Sequence, residues 1–166
     1  MLSQEETGRL KIGLEIHVQL TNLKTKLFCP CPSDYRGKKP NENVCPVCLG
    51  LPGTLPQVNS KAIESAIAVC LAFKARVQPY VVFSRKNYFY PDMNKNYQIT
   101  QYDKAGGATI GLGGHITINI DGERREMPFR RIQLEEDPGR LVHVEKGSIR
   151  KTYIDYNRAG IALVEI

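Results

Sequence analysis

Glu15 and His17 stand two residues apart in the run Leu10-Lys11-Ile12-Gly13-Leu14-Glu15-Ile16-His17-Val18-Gln19-Leu20. In an extended chain that spacing puts both side chains on one face, about 7 Å apart along the strand. A carboxylate and an imidazole on one rigid platform make half of a divalent-metal site, or an acid/base pair. A solvated sheet face that carries a Glu and a His is the plainer alternative. Cysteines form a second group: Cys29 and Cys31 as C-x-C, Cys45 and Cys48 as C-x2-C, with residues 32–44 between the halves. Cys45-Pro46-Val47-Cys48-Leu49-Gly50 has the pattern of a zinc knuckle, in which a tight turn aims two thiolates at one tetrahedral ion. The C-x-C half needs a turn in its backbone to aim both sulfurs together, and Pro30 and Pro32 can supply one. Four sulfurs would close the coordination sphere, so such a zinc would be structural. Free thiols and redox chemistry are the alternatives, and disulfides fit poorly with the absence of a secretory signal.

A third group lies in Ser84-Arg85-Lys86-Asn87-Tyr88-Phe89-Tyr90-Pro91-Asp92-Met93-Asn94-Lys95-Asn96-Tyr97-Gln98, where aromatic rings are interleaved with Arg85, Lys86 and Lys95. Flat rings beside cations suit a stacked base and a phosphate; a tyrosine-rich core loop with solvated lysines reads the same residues blandly. Glu135-Glu136-Asp137 gathers three acids at a Pro138-Gly139 turn, which calls for a divalent ion or for plain exposure. Glu165 is embedded in Leu163-Val164-Glu165-Ile166, and a carboxylate inside an apolar strand is costly to bury without a partner. It is expected to face a site.

Elements must position these groups. The first strand presents Ile12, Leu14, Ile16, Val18 and Leu20 on the face opposite Glu15 and His17, which predicts that this second face is core. Residues 27–56 hold six prolines and three glycines, so neither helix nor ladder runs far through them, and a loop of that length needs the cysteines to hold it. Asn59 to Ala75 is the one clear helix, capped by Asn59 or Ser60, with a stripe of Ile63, Ala66, Ile67, Cys70, Leu71 and Lys74 facing the sheet. Cys70 is expected to be an inert buried thiol. Val77–Phe83 reads as a strand, and the glycines at 106–107 and 111–114 read as hairpin turns, since no phosphate-loop pattern follows them. His115–Ile120, a turn at Asp121-Gly122, Arg125–Glu136 and Lys151–Ile166 complete a β-rich second half. The fold class is therefore α+β, mostly antiparallel, with one packed helix and a zinc-stapled loop.

The chain has 166 residues and a net charge of +6, enough for one sizeable core and a lean toward a polyanionic partner. It has no apolar run long enough to span a bilayer, so the expected location is the cytoplasm. A chain that stops inside the apolar run Gly160–Ile166 is expected to be a piece of a longer protein.

GLEIHVQL, KLFCPC with NVCPVCLGLPGTLP, RKNYFYPDMNKNYQITQYD, QLEEDPG and DYNRAGIALVEI occur in this order. Together they resemble the N-terminal part of the B subunit family of aspartyl/glutamyl-tRNA amidotransferases. The resemblance runs from Gly13 almost to the end. The loop departs from the family in reading Met93-Asn94-Lys95 where a proline usually precedes the lysine. The resemblance implies an N-terminal activation domain over 1–166 that uses ATP and Mg²⁺ to phosphorylate the side-chain carboxylate of misacylated Glu-tRNA(Gln) or Asp-tRNA(Asn). Ammonia delivered by the glutaminase of the complex, its A subunit, then displaces the phosphate, and a small C subunit clamps A to B. By the same resemblance Glu15, His17, Glu136 and Glu165 would be the catalytic magnesium ligands. Strand parity alone leaves Glu135 and Glu136 open, and alignment with the family's motif points to Glu136. Lys86, Tyr88 and Lys95 would face the nucleotide or the reacting aminoacyl end, and Cys29, Cys31, Cys45 and Cys48 would bind structural zinc. The rival from the residues alone is a non-catalytic, zinc-containing RNA-binding module.

Overall fold

A computed structural model describes residues 12–102 and 106–166. Its elements run β1 (His17–Gln19), α1 (Ser60–Ala72), β2 (Arg76–Val77), β3 (Ser84–Asn87), β4 (Tyr97–Thr100), β5 (Gly111–Leu112), β6 (His115–Ile120), β7 (Glu123–Pro128), β8 (Arg131–Glu136), β9 (Arg140–Lys146), β10 (Ile149–Asp155) and β11 (Ala162–Glu165). Five strands form the main sheet in the order β1-β11-β8-β5-β2, and β3–β4, β6–β7 and β9–β10 are two-stranded ribbons. Every pairing among these strands is antiparallel, as an α+β fold with one packed helix requires.

The core lies between α1 and one face of the sheet. Ala62, Ala66 and Cys70 recur every four residues on the helix and are buried, against Ile132 and Leu134 of β8 and Val164 of β11. Leu71, expected in the packed stripe, faces solvent instead, because the helix presents its small residues inward and leans close to the sheet. Gly111 permits that approach: a Cβ there would lie 2.5 Å from Cys70 Sγ. Gly111 is thus part of a sheet strand rather than a turn, while Gly113 and Gly114, both at positive φ, make the turn that follows. Asn59 is the N-cap, accepting a hydrogen bond from Lys61 N–H, and its amide also donates to Thr25 Oγ1 at 2.9 Å, which ties the helix start to the cysteine loop. The helix ends in a Schellman arrangement, with Ala75 N–H donating to Cys70 O, Lys74 N–H to Leu71 O, and Lys74 itself left-handed at φ 57.

Four expectations change in detail. The first strand is short: β1 covers His17–Gln19, and Leu10 and Lys11 lie outside the described residues. Of its apolar face only Leu20 is buried, while Ile12 (82% exposed) and Val18 (45%) are open, because β1 is the sheet's edge strand and overhangs the helix that covers the centre. The Val77–Phe83 strand stops at Val77, since Pro79 cannot donate to a ladder, although Val82 still pairs with Ala108. The long strand after Asp121-Gly122 is two: β7 ends at Pro128, and β8 begins at Arg131 and enters the main sheet. Lys151–Ile166 is likewise divided, with β10 folding back on β9 through a turn at Gly147 before β11 joins the sheet.

Candidate metal and nucleotide site

Alternation on three adjacent strands builds one polar face. β1 pairs with β11 so that His17 lies opposite Glu165, and β11 pairs with β8 so that Glu165 lies opposite Gln133 and Leu163 opposite Glu135. His17, Glu165, Gln133 and Glu135 therefore share the side of the sheet away from α1, while Val164, Ile132 and Leu134 point into the core. His17 Nε2 is 3.0 Å from Glu135 Oε1 and 3.7 Å from Glu15 Oε1. One ligand atom each from His17, Glu135 and Glu165 falls within 4.8 Å of the others. Neighbours orient the two carboxylates: Thr100 Oγ1 donates to Glu135 Oε2 at 3.1 Å, and Gln133 Nε2 donates to Glu165 Oε2 at 2.9 Å. Burial raises the Glu135 carboxyl above its ordinary value and the Glu165 charge adds to the rise, against an opposing pull from His17. Two acids that repel on a shared face beside an imidazole make a donor set that a hard divalent cation would relieve.

Glu136 is elsewhere. Following Ile132 and Leu134 in parity, it turns to the core side, where Lys95 Nζ lies 2.7 Å from either of its carboxylate oxygens and Ile99 N–H donates to it at 2.9 Å. Burial raises its carboxyl, and the Lys95 ammonium opposes that rise. The structure thus brings Glu135 together with His17 and Glu165, and leaves Glu136 with Lys95. The Lys95 side chain is buried in this ion pair. Lys86, exposed on β3, sits over the Tyr102 ring at 5.6 Å and acts on the Glu135 carboxyl through its charge. Tyr88 is exposed and stacks on Tyr90, with ring centroids 5.9 Å apart and planes 24° apart. A cleft beside the polar face is lined by His17, Gln98, Glu135, Asp137 and Arg158. Burial raises the Asp137 carboxyl to about 6 against the Arg158 guanidinium.

The four expected cysteines converge, with sulfurs within 4.8 Å of one another. Cys48 is drawn down toward the thiolate by a hydrogen bond from Cys29, with Lys26 adding its charge. The loop is held to the end of β10 and the segment after it: Asn43 N–H donates to Asn157 Oδ1 at 2.7 Å, and Asn41 N–H donates to Asp155 Oδ1 at 3.1 Å.

Residues 10–166 match the family model described as the GatB/GatE catalytic domain. This chain belongs to the GatB/GatE catalytic-domain family. It is 57% identical over 162 residues to the B subunit of the aspartyl/glutamyl-tRNA(Asn/Gln) amidotransferase of Aeropyrum pernix. It is 51% identical over 159 residues to the protein of that name from Sulfurisphaera tokodaii, and 54% identical over 159 residues to the one from Methanoregula boonei. The matches cover 95%, 95% and 93% of this chain but 33%, 33% and 32% of those relatives, so the chain spans about a third of their length.

Within this GatB/GatE domain, sequence reasoning passed over Thr100 and Gln133, and it chose Glu136 of the acidic pair. The register of β8 against β11, with Glu165 opposite Gln133 and Leu163 opposite Glu135, is what puts Glu135 on the polar face. Thr100 carried no local signal, because its partner lies 35 positions away on another strand. Among the described residues no helix is long and apolar enough to cross a membrane.

Proposed function

We propose that this GatB/GatE domain is the carboxylate-activating centre of a tRNA-dependent amidotransferase. The observation that carries the reading is the convergence of His17, Glu135 and Glu165 on one sheet face beside a cleft. The substrate carboxylate and the triphosphate of ATP are both anionic, and two bare carboxylates would repel them. A Mg²⁺ ion held by His17, Glu135 and Glu165 would reverse that field and neutralise charge on the transferring phosphoryl group.

The protein's own residues then have separable tasks. Thr100 and Gln133 hold the two carboxylates at fixed angles. Glu15, exposed beside His17, sits at the rim, where it can take a water of the metal's shell. Lys86, exposed on β3, serves as the phosphate contact, and the stacked Tyr88–Tyr90 pair offers a flat surface to a base or to the 3′ end of the tRNA. In the reaction, an oxygen of the Glu or Asp side chain attacks the γ-phosphorus and ADP leaves. Ammonia then attacks the acyl carbon, releasing phosphate and a proton and leaving the amide. The ammonia comes from the glutaminase, the A subunit of the complex, with the small C subunit joining A to B, and the cytoplasm is where the misacylated tRNA is met. The Cys29–Cys31–Cys45–Cys48 cluster, four soft donors in a largely buried site, fits a structural Zn²⁺.

Mn²⁺ serves as a visible substitute for Mg²⁺ in the test. Binding followed by electron paramagnetic resonance should be strong in the wild-type chain and lost in His17→Ala and in Glu165→Gln. Equal binding in all three proteins overturns the reading. An RNA-binding module without chemistry has no use for the convergent acids, which would repel phosphate.

A further inference from the structure

Lys26 is completely buried, at 0% exposure. Its ammonium donates to the Asn43 carbonyl at 2.8 Å and to Cys48 Sγ at 3.6 Å. Glu136, whose Oε2 also lies near Gly160, is committed to Lys95 at 2.7 Å. An ammonium withdrawn from water costs several kcal/mol unless negative charge compensates it, and one neutral carbonyl does not.

The compensation lies in the cysteine cluster. Four thiolates around a dication leave two negative charges, and one ammonium cancels one of them. The backbone is built to bring the two together. Lys26 N–H donates to Cys31 O at 2.9 Å, and Thr25 pairs with Pro32, so the segment runs antiparallel to the C-x-C half. The lysine stem then passes Gly160, where a Cβ would lie 3.4 Å from Lys26 Cδ and 3.5 Å from Cys48 Cβ. Those are ordinary contact distances, and it is the φ of +90, which L side chains rarely adopt, that favours glycine at this point.

We propose that Lys26 is the built-in counter-cation of the four-cysteine metal centre, holding Cys48 by an N–H···S hydrogen bond and stabilising the net-negative, metal-bound state of the cluster. This rests on the zinc reading. It assigns Lys26 a positioning and charge-balancing role at the metal rather than a role in general folding, and the same hydrogen bond shields the Cys48 sulfur from electrophiles.

The test compares wild type, Lys26→Met and Lys26→Arg by competition for zinc against a chromophoric chelator at one pH. Lys26→Met, which keeps length and loses charge, should bind zinc about 10- to 100-fold more weakly. Lys26→Arg should stay closer to wild type, and alkylation of the zinc-bound cluster should quicken in Lys26→Met alone. A wild-type chain that takes up no zinc overturns the zinc reading itself. Tight zinc binding that is equal in wild type and Lys26→Met overturns the counter-cation role. Should Lys26→Met not fold, the wild-type protein still decides. The ¹⁵N-ammonium signal of Lys26 should shift when zinc is exchanged for cadmium, and an unchanged signal rules the contact out.

Discussion

Glu135 and Glu136, neighbours on β8, answer to different partners: the Glu135 carboxylate lies 3.0 Å from His17 Nε2, and the Glu136 carboxylate lies 2.7 Å from Lys95 Nζ. The alternation of the strand sends one to the polar face and the other to the core side. The variants Glu135→Gln and Glu136→Gln should therefore behave differently. Glu135→Gln should lose Mn²⁺ binding with little change in stability. Glu136→Gln should keep Mn²⁺ and lose about 3 kcal/mol of stability, because it strands the Lys95 ammonium in a buried site. Urea denaturation and Mn²⁺ titration on the same samples check both arms, and loss of Mn²⁺ in the Glu136 variant alone would reverse the assignment.

The cysteine knuckle also walls the cavity that holds the Lys95–Glu136 pair. Asn94 donates to the Cys48 carbonyl, and a Cβ at Gly50 would stand 2.3 Å from Lys95 Cγ. Gly50→Ala and Gly53→Ala share a left-handed backbone, but a Cβ at Gly53 meets nothing within 4 Å. Both should lose about 1 kcal/mol to backbone strain, and Gly50→Ala about 1–3 kcal/mol more as Lys95 is displaced. Equal losses would show that the knuckle does not press on Lys95.

Asp155 links the loop to β10 through Asn41, Asn157 and Arg140. Burial works against its charge, but hydrogen bonds from the Asn157 and Asn41 N–H groups, with the Arg140 guanidinium, win and hold its carboxyl below the ordinary 3.8. The native state then binds fewer protons than the unfolded chain near that pH. Its stabilisation is present above 3.8 and fades as pH falls through the lower native value. The gap in urea midpoint between wild type and Asp155→Asn should be wide at pH 7 and should narrow by pH 3.

Lys74 closes α1 in a left-handed conformation at φ 57, where a side chain is a burden. Lys74→Gly should raise the thermal midpoint, worth about 0.5–1 kcal/mol, less whatever the 3.3 Å contact to His115 Nε2 contributes. A fall in the midpoint would mean that the His115 contact outweighs the strain.

The convergence of Cys29 and Cys31 with Cys45 and Cys48 was legible because the C-x-C and C-x2-C spacings are local. The helix was legible for the same kind of reason, since its cap at Asn59 and its four-residue repeat are local. Glu15 and His17 were placed near each other by the two-residue period, although Glu15 precedes β1 and its Oε1 comes to 3.7 Å from His17 Nε2, closer than the strand rise alone gives. What periodicity could not settle was where an element sits. Val18 and Ile12 read as core on pattern, yet among the described residues β1 is an edge strand, and nothing in its own residues says that β11 will be its neighbour.

By itself, then, the sequence determined the fold class, the sulfur cluster and the pair of strands that carry His17 and Glu165, because each rests on interactions within a few residues or on alternation along one strand. Only the tertiary structure decided that Glu135 rather than Glu136 joins them, that Lys95 is spent on Glu136, and that Lys26 is buried against Cys48. Those outcomes depend on register and on partners 22 to 148 positions apart. In each, a buried charge takes whichever compensating group the packed strands bring within reach.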